Sequence, residues 1–186
     1  MARELIVGVS GGIAAYKTAA LVSSLVQSGN GVSVVMTHAA RKFVGQATFR
    51  ALTGRPVAIN VFDREAFPLG AHIELAEKAD LFCIAPASAD LLGKAAHGLA
   101  DDLLSTLLLS FDGPVLFAPA MNSAMWAKPA VQRNIATLRD DGYDFVDPQE
   151  GWQSCRRTGM GRMAEPADIQ TAIERLLGSS GGGRKQ

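Results

Sequence analysis

Residues 4–17 read ELIVGVSGGIAAYK. Leu5-Ile6-Val7-Gly8-Val9 is a short apolar run of the kind that makes a strand buried on both faces, and it breaks at Ser10-Gly11-Gly12 before a helical pattern that begins at Ile13. A strand, a glycine turn and a helix start predict a parallel α/β unit. Peptide N–H groups at a helix N-terminus lack intrahelical partners, and the helix dipole adds partial positive charge there, so a phosphate is the first ligand expected. The spacing fits neither common nucleotide motif: Gly8-x-x-Gly11-Gly12 is not G-x-G-x-x-G, and Lys17-Thr18 follows Tyr16 where a Walker loop needs glycine. A dinucleotide site also needs an acid for the ribose hydroxyls about 20 residues on, at the end of the next strand. That strand, residues 32–36, ends instead in Thr37-His38, and a hydroxyl suits a second phosphate contact better than a ribose diol. NAD is therefore disfavoured. The alternative for the glycine turn is a tight strand-to-helix connection without a ligand.

The alternation continues along the chain. Helical patterns are expected over residues 13–27, 39–52, 72–79, 103–111, 129–140 and 166–177, and strands over 32–36, 80–85, 115–118 and 143–146. Pro86-Ala87-Ser88-Ala89-Asp90 turns the third strand into a helix, with Ser88 or Asp90 as N-cap. Residues 57–71 read as surface loop. Residues 147–166 read as one long glycine-bearing loop holding Trp152, Cys155, Arg156, Arg157, Arg162 and Met163, of a length more often used as a lid. This order predicts one domain over residues 1–177: a Rossmann-like (flavodoxin-like) doubly wound parallel sheet in three α/β/α layers, followed by a flexible tail, 178–186. Ligands of such sheets gather beyond the carboxyl ends of the strands. Ser10 to Gly12, Thr37, the turn at 86–90 and the stretch 119–126 all fall at such ends, so one site shared by several loops is expected.

Composition narrows the function classes. Of 186 residues, 48% are apolar, enough for a full core. Eighteen basic residues balance eighteen acidic ones without a long block of either sign, which disfavours nucleic acid and membrane surfaces as partners. There is no apolar run of about 18 residues and no charged-then-apolar leader, so the chain reads as soluble and cytoplasmic. Cys83 in an apolar strand reads as a small buried hydrophobe and Cys155 as a loop thiol, with no disulfide between them. No Cys/His spacing suits a metal.

Five motifs in order carry a resemblance: GVSGGIAAYKT, HIELAEKAD with His72, PASAD at 86–90, PAMNSAMW at 119–126, and the Cys155 loop ending in GMGRMAEP. Over residues 5–177 the chain resembles the homo-oligomeric flavin-containing cysteine decarboxylases. The resemblance implies FMN, its phosphate at Ser10, Gly11, Gly12 and Thr37 and its ring beside Ser88, Ala89 and Asp90. FMN agrees with the turn, having one phosphate and no second ribose. By the same resemblance His72 is the active-site base and Asn122, beside Met121, grips the substrate carboxylate. Arg162 and Met163 clamp the substrate, and Cys155 donates a proton late in the reaction.

The implied activity is redox-neutral decarboxylation of 4′-phospho-N-pantothenoylcysteine to 4′-phosphopantetheine in coenzyme A biosynthesis. The cysteinyl group is oxidised to a thioaldehyde, CO2 leaves an enethiolate, and the hydride returns with a proton from Cys155. A homotrimer or a multiple of it (a dodecamer) and a phosphopantothenoylcysteine synthetase are the implied partners. Rival readings are a peptidyl-cysteine decarboxylase that stops at the enethiol, a non-catalytic flavin-binding regulator, and a flavin prenyltransferase. Cys155 argues against the first, and the prenyltransferase leaves His72, Asn122 and the Cys155 loop without a role. Some members carry Asn at Asp90 and Asp101 and Gly at Arg156. Without the resemblance, His72 reads as a capping or solvated residue and Asn122 as a helix N-cap, a role compatible with substrate contact; His38 and His97 read as surface residues.

Overall fold

The computed structural model describes residues 2–63 and 65–179. In strand β1 (Glu4–Val9) every residue after Glu4 is buried, because helices cover both faces of the sheet to which it belongs. Parallel pairing joins β1 to β2 (Gly31–Met36) on one side and to β3 (Leu81–Ala87) on the other. Beyond β3 lie β4 (Val115–Pro119) and a two-residue β5 (Asp144–Phe145), giving the order β2-β1-β3-β4-β5. This is the flavodoxin-like order expected, and its direction reverses beside β1, where open α/β sheets place their ligands.

Side-chain alternation assigns the layers. Leu5, Val7 and Val9 face α1 (Ala15–Gln27), α2 (Gln46–Thr53) and α8 (Pro166–Ser179). Ile6 and its neighbours Phe82, Ile84 and Phe117 face α3 (Ala71–Lys78), α4 (Ala89–Ala96), α5 (Leu103–Ser110) and α7 (Pro129–Asp140). Phe117 stacks on Phe145 at 5.3 Å and meets Tyr143 edge-on at 5.6 Å, an arrangement that adds about 0.5–1.5 kcal/mol per pair beyond area burial. Local signals start and stop the helices. Asp102 closes a capping box with Ser105, Pro129 occupies the first position of α7, and Gly54 ends α2 in the left-handed conformation at φ 67°. Among the described residues no helix is long and apolar enough to cross a membrane.

Several expectations need correction. The single helix over 39–52 is split into a 3-10 turn at 40–42 and α2, because Gly45 is extended (φ −73°, ψ 146°). β3 runs on to Ala87 through Pro86; the proline's missing N–H falls where the β3–β4 register shifts between Ile84 and Ala87. Residues 147–166 are not an unstructured loop. They form an antiparallel hairpin, β6 (Gln149–Trp152) and β7 (Thr158–Arg162), that packs against a one-turn helix, α6 (Ser123–Trp126). The last helix reaches Ser179 rather than 177, and the rest of the expected tail, 180–186, lies outside the described residues.

Candidate active site

A cleft of about 500 Å³ opens beyond the carboxyl ends of β1, β3 and β4, with the hairpin as one wall. Its floor starts at the β1–α1 turn. The N–H groups of Gly11, Gly12, Ile13 and Ala14 have no partner among the described residues. Ala14, the N-cap of α1, supplies no side-chain cap, and the first turn of α1 holds no acid. Four unpaired donors on the positive end of a 13-residue helix suit an anion. Gly11 is held against the chain after β2, since a Cβ there would lie 2.5 Å from that of Ala39.

The second wall comes from β3 and β4. Ser88 caps α4, its side chain accepting from the Leu91 N–H at 3.3 Å, and Ala89 follows it into the cleft. After β4, Met121 donates its N–H to the Gly161 carbonyl of the hairpin at 2.9 Å. Asn122 Oδ1 accepts from the Ala124 N–H at 2.8 Å and caps α6, which leaves Nδ2 directed at Cys155 Sγ, 3.3 Å away. Cap and cleft residue are the same side chain. Cys155 is exposed at the hairpin tip, next to Arg156, which adopts φ 63°, a left-handed conformation usually filled by glycine. Cys83, by contrast, lies in the core, where burial pushes its thiol up to about 12. Both cysteines are free.

Charge enters from Lys17 and Arg162, which both line the cleft and share Glu165 Oε1 at 2.9 and 3.0 Å. The Lys17 hydrogen bond holds the Glu165 carboxyl below its usual range. A depressed carboxylate contributes fully above the ordinary value of 4.5, and its contribution is lost as pH falls through the lower folded value. Acidification below pH 4.5 is therefore expected to loosen the β7 end of the hairpin, read as a change in Trp152 fluorescence in a Trp126→Phe background. Glu165→Gln should abolish that transition; an unaltered acid titration in the variant would show that this ion pair does not anchor the hairpin. Arg162 also donates to Gln149 Oε1 at 3.3 Å, while its Nε is buried with no partner among the described residues.

The cleft thus brings together Gly11, Gly12, Ser88, Ala89, Met121, Asn122, Cys155, Arg162 and Met163. Four expected residues do not line it. Ser10 is buried, donating to the Pro86 carbonyl at 2.7 Å and accepting from the Ser88 N–H at 2.8 Å, so its hydroxyl ties β1 to β3. Thr37 Oγ1 accepts from the Ala40 N–H at 3.1 Å. Asp90 points outward and pairs with Lys94 at 3.3 Å. His72 stands at the start of α3, its Nδ1 buried without a partner among the described residues. The sequence reading missed Lys17 and Gln153 as cleft residues, together with Ile13 and Tyr16, whose side chains are exposed at the cleft. The i, i+3, i+4 spacing of Ile13, Tyr16 and Lys17 was the available signal, since a helix read from Ile13 sets all three on one face. No group of three or more metal-ligating side chains occurs among the described residues.

The flavoprotein family model matches residues 1–178. Among curated proteins, the coenzyme A biosynthesis bifunctional protein CoaBC of Bacillus subtilis is 46% identical over 173 residues, which is 93% of this chain and 43% of that protein. CoaBC of Mycobacterium tuberculosis H37Rv is 48% identical over 176 residues, 94% of this chain and 41% of that one. The chain therefore spans less than half the length of these relatives. Among solved structures, the FMN-dependent cysteine decarboxylase SpaF superposes with a TM-score of 0.83 at 35% identity, covering 95% of this chain and 96% of the other. A PPC decarboxylase variant complexed with pantothenoylaminoethenethiol gives a TM-score of 0.87 at 29% identity, covering 97% and 100%.

Proposed function

This chain belongs to the flavoprotein family, and from that premise we propose that it binds FMN and decarboxylates 4′-phospho-N-pantothenoylcysteine to 4′-phosphopantetheine in coenzyme A biosynthesis. The observation that carries this reading is the pairing of the Asn122 amide with the Cys155 thiol, 3.3 Å apart, in a cleft floored by an uncapped helix N-terminus. The likeness to CoaBC and to cysteine decarboxylases supports it.

The residues present fit the cofactor. The four unpaired N–H groups from Gly11 to Ala14 would hold its phosphate, and Ser88 and Ala89 would border its ring. Bound flavin supplies the acceptance and return of a hydride equivalent. Asn122, its Oδ1 fixed by Ala124, presents Nδ2 to the substrate carboxylate, and Arg162 and Lys17 add positive charge beside it. Met121 and Met163 supply apolar wall. Cys155 gives a proton to the substrate carbon that has lost CO2. That step favours this reading over a peptidyl-cysteine decarboxylase, which ends at the enethiol.

His72 serves as the acid–base group from a neighbouring subunit, in a homotrimer or a multiple of it. Its absence from the cleft of its own chain supports this, as do the exposed apolar Ile73, Leu99 and Leu109 on and around α3 and α5. The enzyme acts in the cytoplasm beside a phosphopantothenoylcysteine synthetase activity, in keeping with its bifunctional relatives. The purified protein is expected to be yellow, to release FMN on denaturation, and to evolve CO2 from synthetic phosphopantothenoylcysteine while forming the saturated thiol. A colourless protein that cannot be reconstituted with FMN, or one inert toward that substrate, would overturn the reading.

A further inference from the structure

Gln153 begins the hairpin turn, two residues before Cys155, and is only 8% exposed although it is polar and lies on a surface hairpin. Its side-chain amide is fully used. Nε2 donates to the carbonyls of Gly159 at 3.3 Å and Met160 at 3.0 Å, across the hairpin. Oε1 accepts from the Ser123 N–H at 3.1 Å, at the start of α6, and from the Cys155 thiol at 3.7 Å. Two carbonyl partners and one N–H partner settle which end of the amide is nitrogen. The group that faces Cys155 from this side is therefore an acceptor. From the other side Asn122 Nδ2 faces it as a donor, its own amide oriented by the Ala124 N–H.

Cys155 thus sits between opposed influences. Gln153 Oε1 accepts from the thiol and Asn122 Nδ2 faces it as a donor, while Arg156 and Arg157 follow it in the sequence. The same Gln153 amide also sets the position of the thiol, because it joins the hairpin tip to the first N–H of α6, the helix that Asn122 caps.

We propose that Gln153 is a positioning residue for the late proton transfer: it pins the hairpin tip to α6 so that Cys155 lies beside Asn122, and it presents an acceptor to the thiol hydrogen. This rests on the reading of Cys155 as the proton donor. The step breaks the S–H bond and forms a C–H bond at the carbon that lost CO2. The accompanying hydride equivalent, added to the sulfur-bearing carbon, carries the two electrons removed earlier from the same substrate. The thiolate left behind is exposed, and water reprotonates it.

Gln153→Met keeps the length of the side chain and removes both ends of the amide. In the FMN-loaded enzyme the ratio of enethiol to saturated thiol is expected to rise toward that of Cys155→Ser run in parallel. Because it is a ratio, loss of folded protein does not move it. A wild-type ratio in Gln153→Met beside an enethiol-forming Cys155→Ser would overturn the proposal. Should Cys155→Ser itself form only the saturated thiol, the assignment of the donor has failed, and the positioning role is decided by a second measurement on the purified protein without substrate. Of the chain's two cysteines Cys83 is buried, so iodoacetamide alkylation reports Cys155. Alkylation at neutral pH is expected to be about fivefold faster in Gln153→Met, the worth of one ordinary net hydrogen bond. Gln153→Glu, which keeps an acceptor and adds negative charge, should react more slowly than Gln153→Met. Equal rates in all three proteins would show that Gln153 does not govern the thiol.

Discussion

His72→Asn is expected to leave the protein folded and yellow while decarboxylation falls about a hundred- to ten-thousand-fold, the usual worth of a positioned general acid–base group. Flavin should stay bound because the Gly11 to Ala14 N–H groups proposed to hold its phosphate, and Ser88 and Ala89 beside its ring, do not include His72. The fold should tolerate the change. His72 begins a helix that is anchored by Ala71 and Leu75, and its ring nitrogen Nδ1 has no partner among the described residues to lose. A subunit-mixing experiment tests the trans assignment. A mixed oligomer of His72→Asn and Cys155→Ser chains contains clefts with an intact Cys155 from one chain and an intact His72 from the other. Formation of the saturated thiol, which neither preparation gives alone, should then reappear on mixing the two after dissociation and reassembly. If His72 served its own chain, every cleft would carry one lesion and mixing would restore nothing. Near-wild-type CO2 release by His72→Asn alone would remove the residue from the mechanism.

Gly161→Ala carries the second large effect. Gly161 has φ 126°, a conformation that side chains rarely adopt, and a Cβ there would collide with the backbone carbonyl oxygen of Met121 and approach Gln153 Nε2 to 3.0 Å. Neither the carbonyl nor the β7 backbone can yield easily, because the Met121 N–H donates to the Gly161 carbonyl at 2.9 Å in the same contact. Backbone strain and overpacking together predict a loss of about 3 kcal/mol. For a chain of this size that is roughly 6–12 °C in Tm. The hairpin is expected to detach from the loop after β4 before the sheet unfolds, so substrate affinity should suffer more than flavin binding, whose turn at 10–14 is untouched. Thermal unfolding with a KM measurement checks this. A Tm within a degree or two of wild type, with normal KM, would mean that the hairpin does not depend on this backbone contact.

Much of the fold was legible because its signals are local. An uninterrupted apolar run such as Leu5 to Val9 reads as a strand covered on both sides, and it is. A cap joins residues two or three apart, so Ser88 or Asp90, and Asn122, were readable as caps; the structure uses Ser88 and Asn122, and both side chains accept the N–H bonds expected of a cap. Residues 39–52 misled for the same reason in reverse: the helical spacing is present, yet the extended Gly45 interrupts it.

The hairpin was not legible. β6 and β7 are largely exposed or half-buried, and three of their nine residues are glycines, so no alternation of apolar and polar side chains marks them. Besides their own pairing and the Arg162–Glu165 ion pair, Gln153 and the backbone contact of Gly161 with Met121 bind the hairpin to α6 and to the loop after β4.

The residues by themselves determined a doubly wound parallel sheet, a glycine turn between β1 and a helix, and loops at the strand ends that carry Asn122 and Cys155, because strand, turn and cap are written in spacings of a few residues. Only the tertiary structure decided which groups meet. It turned the Ser10 hydroxyl inward to bridge β1 and β3, set Lys17 on Glu165 across 148 positions of chain, and kept His72 out of the cleft of its own chain. Those outcomes depend on how layers of the fold close over one another, and no periodicity within one segment encodes that.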